Sequence, residues 1–131
     1  MARILVAEDD LAVQSFVARA LAHRGHAVTA VGDGVQALEA LNDGAFDILL
    51  TDIVMPGLDG IALALKVARE WPQMPVLLMT GYAAERQRAH NLEELIHEVI
   101  TKPFTLTQVC DAVEAALQRR DVASGRHPVR V

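Results

Sequence analysis

Apolar residues fall along this chain in short closed runs, separated by stretches where they recur every three or four positions. The first run, Arg3-Ile4-Leu5-Val6-Ala7, stops at Glu8-Asp9-Asp10, as a buried strand does where it leaves a sheet. Val13, Phe16, Val17, Ala20 and Leu21 then keep helical spacing, with Asp10 as the N-cap and Gly25 as the stop. Ala27 to Val31 is a second strand. Asp33-Gly34 turns the chain, and Val35, Leu38 and Leu41 mark one side of a short helix. A third strand runs from Phe46 through Thr51 and presents Asp52 just ahead of a Pro56-Gly57 turn. Ile61, Leu65 and Ala68 mark the next helix, which Pro72 closes because its ring cannot continue one. Val76-Leu77-Leu78-Met79 is a fourth buried strand ending at Thr80-Gly81, Ala83 to Leu95 is weakly patterned helix, and Ile96 to Thr101 is a fifth strand. Thr105 and Gln108 have the spacing of a capping box, and Leu106, Val109, Cys110, Val113 and Leu117 stripe a last helix.

Five strands alternating with helices, several of them apolar without interruption, predict an α/β fold with a doubly wound five-stranded parallel sheet. The pattern defines one domain over residues 1–119. Residues 120–131 carry Ser, Gly, Pro and scattered Arg without period and read as a mobile C-terminal tail, a solubilising extension. A chain of 131 residues with 52% hydrophobic content has the composition of one globular domain. The net charge of -5 argues against a nucleic-acid surface, which would need clustered Lys and Arg. No apolar run approaches the ~18 residues of a membrane span, and no leader opens the chain. With a single cysteine, a cytoplasmic location is the expectation.

Chemistry enters at the strand ends. The first strand ends in Glu8-Asp9-Asp10, the third in Asp52, the fourth in Thr80 and the fifth in Lys102. In an open parallel sheet these ends share one rim, where ligands bind. Converging carboxylates cannot all stay ionised without a counterion. Magnesium suits them, because it prefers oxygen ligands and uses one or two carboxylates alongside phosphate and water. Lys102 offers a point charge for a phosphate oxygen, and Thr80 a hydroxyl donor. Asp52, the only acid alone at a central strand end, is the candidate nucleophile for an aspartyl-phosphate. Cys110 lies in the apolar stripe of a helix and reads as core. The five histidines lack the i, i+4 pairing of a zinc site.

The ordered set Glu8-Asp9, Asp52, Thr80-Gly81 and Lys102-Pro103-Phe104 resembles the receiver domain of two-component response regulators, over residues 1 to about 119. The resemblance implies a flavodoxin-like (βα)5 fold with strand order 2-1-3-4-5. It implies Asp52 as phosphoacceptor from a histidine kinase or histidine phosphotransferase. Asp9, Asp52 and the backbone carbonyl of Val54 would hold magnesium directly, with Glu8 acting mainly through water. Thr80 would change side-chain position on phosphorylation, Lys102 would contact the phosphoryl group, and the Lys102-Pro103 bond would be cis. Such a domain is a signalling switch that catalyses only its own phosphorylation and dephosphorylation. Its output would be a remodelled face of fourth helix, fifth strand and last helix that controls binding of a partner protein. No DNA-reading helix-turn-helix is expected.

The chain departs from the family pattern at Val99, where receivers carry an aromatic switch residue; Tyr82, beside the threonine, is the available substitute. The segment from Ala89 to Glu94 lacks the usual Gly-Ala turn. A narrower resemblance is to the CpdR-type receivers of alphaproteobacteria, carried by the runs from Met1 to Asp10, Leu50 to Pro56 and Thr80 to Ala84. It implies regulated proteolysis through the ClpXP protease. Two other classes stay open. One is a phosphorelay shuttle or phosphate sink without an effector. The other is a metal-dependent phosphatase, against which Val54 stands where a second Asp is usual.

Overall fold

Strand formation follows the apolar runs closely. The structure is a computed structural model, and it describes residues 1–81 and 98–123. It contains β1 (Arg3–Ala7), α1 (Leu11–His23), β2 (Ala27–Val31), α2 (Gly34–Asp43), β3 (Ile48–Asp52), α3 (Gly60–Glu70), β4 (Val76–Thr80), β5 (Glu98–Thr101) and a C-terminal helix, α4 (Leu106–Ala123). The helix expected over Ala83 to Leu95, Tyr82 and residues 124–131 of the tail lie outside the described residues.

The strands form one parallel sheet in the order β2-β1-β3-β4-β5, as the flavodoxin-like reading requires. Alternate side chains of the inner strands enter separate cores. Ile4, Val6, Leu50, Leu77 and Met79 pack on one face with Val17 and Leu21 of α1 and Val109 and Val113 of α4. Leu5, Ala7, Leu49, Val76 and Leu78 pack on the other with α2 and α3. Both faces are covered, which is why these strands read as continuous apolar runs.

Aspartate opens three of the helices. Asp10, Asp33 and Asp59 accept bonds from the first free amides of α1, α2 and α3. At α4, Gln108 N donates to Thr105 Oγ1 (3.1 Å) and Thr105 N to Gln108 Oε1 (2.8 Å), closing the capping box. Asp33-Gly34 is therefore a cap and the first helical residue, not a free turn.

The helices rotate differently from the expected stripes. In α2 the buried residues are Gly34, Ala37 and Leu41, while Val35 is exposed. In α3 they are Gly60, Ile61, Leu63, Ala64 and Val67, and Leu65 is exposed. The physical reason is close backbone approach by the first residue of each helix. A Cβ on Gly34 would lie 2.8 Å from Leu58 Cβ, and one on Gly60 would lie 2.9 Å from both the Asp52 carbonyl carbon and Ile53 Cα. Once the glycine faces inward, the positions three or four residues on follow it. Leu106 is likewise exposed, ahead of the buried Val109 and Cys110. The last helix also runs past the expected domain end at 119. Within it, the Arg120 guanidinium donates to Asp47 O (3.2 Å) and Oδ1 (3.1 Å) at the opposite end of the sheet.

Candidate functional site

Beyond Ala7 the chain must leave the sheet and enter α1 within a few residues. Glu8 N donates to Val31 O (3.0 Å), and Gln14 Nε2 donates to both Glu8 O and Val31 O (2.9 Å each). The Asp10 amide donates to Glu8 Oε2 (3.1 Å) while the Asp10 side chain caps α1. This turns Glu8 fully inward, at 0% exposure, and leaves Asp9 at the surface.

Asp52 ends β3 with its carboxylate nearly buried, and Oδ1 accepts from Ile53 N (3.0 Å). Its carbonyl takes the Thr51 hydroxyl (2.9 Å), and the Gly60 amide donates to Ile53 O (2.8 Å), docking α3 against the strand end. Lys102, just after β5, projects between the acids. Its Nζ lies 2.8 Å from Glu8 Oε1 and 3.3 Å from Asp52 Oδ1. The Lys102 amide donates to Thr80 O (2.7 Å), tying the ends of β4 and β5, and the Lys102-Pro103 peptide is cis.

The electrostatics follow from burial and crowding. Burial pushes the Glu8 carboxyl up to about 7, despite bonds from Lys102 and the Asp10 amide, and the Asp52 charge pushes the same way. Burial works against the Lys102 ammonium, but its bonds to Glu8 and Asp52 outweigh that and hold its value above the ordinary one. Carboxylate oxygens of Glu8, Asp9 and Asp52 come within 4.8 Å of one another. Three acids facing one ammonium leave an excess of negative charge on oxygen donors, so this donor set suits a hard divalent cation such as magnesium.

The rim thus brings together Glu8, Asp9, Asp52 and Lys102, with the buried Thr80 at the neighbouring strand end. Val54 exposes its side chain at the rim, and Val99 packs half-buried against the second core, paired with Leu78 of β4. Cys110 is buried, and that burial raises its thiol. An apolar groove of about 450 Å³, lined by Ala12, Val13, Phe16, Pro103, Phe104 and Lys102 itself, adjoins the site. The sequence reading missed Gln14 and Gly60. Gln14 showed only as a polar residue next to the inward stripe of α1, and Gly60 only as a glycine after a cap.

Residues 4–114 match the family model described as response regulator receiver domain. The chain is 38% identical over 117 residues to the response regulator receiver protein CpdR of Brucella abortus, covering 89% of this chain and 98% of that protein. It is 34% identical over 117 residues to the transcriptional regulatory protein TcrA of Mycobacterium tuberculosis, again over 89% of this chain but only 46% of that protein's length. Among solved structures, NtrX of Brucella abortus superposes with a TM-score of 0.87 at 28% identity, covering 95% of this chain and 29% of that one.

Proposed function

Because the chain belongs to the receiver domain family of response regulators, we propose that it is a phosphorylation switch with Asp52 as phosphoacceptor. Receiver domains act as signalling switches, bind magnesium in an acidic pocket and exchange signals with histidine kinases and downstream effectors. The observation that carries the reading is the Lys102 ammonium, seated within 3.3 Å of Asp52 Oδ1 and beside the acids of β1.

In this reading a carboxylate oxygen of Asp52 attacks the phosphorus of a phosphohistidine on a histidine kinase or phosphotransferase. The P–N bond breaks, and the imidazole leaves with a proton from solvent. Asp9, Asp52 and the Val54 carbonyl would hold magnesium, which when bound would supply positive charge for the phosphoryl oxygens. Lys102 neutralises another oxygen, and the Thr80 hydroxyl donates to the group once it is bound. The added charge, roughly -1.5 to -2, draws Thr80 in and remodels the face that includes β5 and α4. That face controls a partner protein in the cytoplasm, which the likeness to CpdR suggests is part of regulated proteolysis, with the ClpXP protease as effector.

Incubation with acetyl phosphate and magnesium tests the switch. Stoichiometric labelling should be abolished by Asp52→Asn with the fold intact. Labelling that persists in the variant would mean another acceptor, and turnover on small phosphate esters would revive the phosphatase class.

A further inference from the structure

Strand β2 is an outer strand of the sheet, and its residues Ala27, Thr29 and Ala30 are exposed. The Ala27 amide donates to Ala2 O (2.9 Å), and Val31 O accepts from the Glu8 amide (3.0 Å). Ala27 and Val31 therefore turn their backbone groups toward β1, and so does Thr29 between them. The intervening Val28 and Ala30 point theirs away from the sheet, because successive residues of a strand alternate. The outward amides on either side are already bonded, His26 N to Leu21 O (3.2 Å) and Gly32 N to Gln36 Oε1 (2.8 Å). Among the described residues, this leaves the amides and carbonyls of Val28 and Ala30 on the open edge. Edge strands are commonly guarded by a charge, a proline or a bulge. The sequence Ala-Val-Thr-Ala-Val has no charge and no proline, and its register with β1 runs unbroken.

We propose that this edge pairs antiparallel with β2 of a second copy of this chain, about a two-fold axis at Thr29. Only that register lets every open group bond. Val28 and Ala30 of one copy face Ala30 and Val28 of the other, and each pair exchanges both of its backbone hydrogen bonds. A slip of the register would set Ala30 against His26, or Val28 against Gly32, whose amides are taken. The side chains match in size, with Val28 on Ala30, Ala27 on Val31 and Thr29 on itself. Charge selects the same direction. Asp33 of one copy falls beside Arg24 and His26 of the other, whereas parallel pairing would set the Asp33 carboxylates together, at the end of the sheet already crowded by Glu8, Asp9 and Asp52. Arg24 already binds Glu114 (2.7 Å), but its guanidinium keeps donors to spare. Because β2 and β5 lie at opposite edges, the dimer leaves the face of β5 and α4 clear on both copies. Two five-residue strands make a contact smaller than the ~1,200 Å² of a standard interface, so the association is weak and depends on concentration.

Sedimentation equilibrium of the unmodified chain at rising concentration should show monomer and dimer with no larger species, because a two-fold pairing closes. Ala30→Pro removes one outward donor per copy and leaves the ladder to β1 intact; it should weaken the dimer about tenfold or more. Thr29→Lys, which sets two ammonium groups on the axis, should weaken it too. On dilution of the unmodified protein, the amide resonances of Val28 and Ala30 should move while those of α4 stay put. In a Cys110→Ala background, Thr29→Cys should air-oxidise to a covalent dimer, since opposed residues of a non-hydrogen-bonded pair lie ~4.5 Å apart at Cα. Val35→Cys, exposed on α2, should not. A chain monomeric at every concentration overturns the proposal and leaves the edge to a foreign strand. A dimer that survives both substitutions lies at another surface and overturns it as well. Should Ala30→Pro fail to fold, the resonances of the unmodified protein and the Thr29→Cys crosslink still decide.

Discussion

Substituting Gly60 with alanine adds one methyl group at the most crowded backbone junction of the site. Elsewhere in a helix the change would help, by up to about 1 kcal/mol of propensity. Here the new Cβ would overlap the Asp52 carbonyl oxygen and lie 2.9 Å from the Asp52 carbonyl carbon and from Ile53 Cα. All three are backbone atoms, so no side chain can swing aside. Relief requires α3 to move off the end of β3, which breaks or stretches the Gly60 N to Ile53 O bond (2.8 Å). Overpacking costs about 1–3 kcal/mol, and the lost bond about 1 kcal/mol. Set against the propensity gain, the net loss is about 1–3 kcal/mol. Trp71, the single tryptophan and the residue that ends α3, reports the transition directly. Urea unfolding followed by its fluorescence should show a lowered midpoint for Gly60→Ala. Gly32→Ala, whose Cβ would meet only Gln36 Oε1 at 3.6 Å, should change stability by no more than about 0.5 kcal/mol. Acetyl phosphate labelling of Gly60→Ala should slow as Asp52 shifts relative to Lys102. A midpoint equal to or above that of the unmodified protein would refute the reasoning.

The Glu8 carboxyl stands at about 7 in the native state against 4.5 unfolded, so the native protein holds that proton more tightly. Its contribution to metal-free stability is complete below pH 4.5 and is lost as pH rises through about 7, by roughly 3 kcal/mol in all. In chelator, the stability difference between the unmodified protein and Glu8→Gln should therefore fall from pH 5 to pH 8; a flat or rising difference would contradict the burial argument. Leu50→Ala, which empties a fully buried site beneath the sheet, should cost about 2–5 kcal/mol by denaturant unfolding. Asp10→Ala removes the α1 cap at Ala12 N (2.9 Å) and should cost about 1 kcal/mol, with helical fraying visible as faster amide exchange at Ala12 and Val13.

Strands were the most legible elements, because a strand buried on both faces writes itself as an uninterrupted apolar run, as Val76 to Met79 does between Pro75 and Thr80. The capping box at Thr105 and Gln108 was equally plain, since both partners lie within one turn. Helix faces were not. Val35 and Leu65 fitted an apolar stripe as well as Ala37 and Val67 did, and nothing local told them apart.

The chain's own order of residues determined which groups reach the rim: alternation of strand and helix puts Glu8, Asp52, Thr80 and Lys102 at strand ends whatever the packing details. Tertiary structure alone decided how those groups are used. Which acid turns inward depends on Gln14 and Val31, bonded to Glu8 from a helix and from a neighbouring strand. The rotation of α2 and α3 depends on backbones from distant segments meeting at Gly34 and Gly60. Periodicity is a property of neighbours in the chain, whereas the approach of two backbones is set by the whole fold, and a sequence pattern carries no record of it.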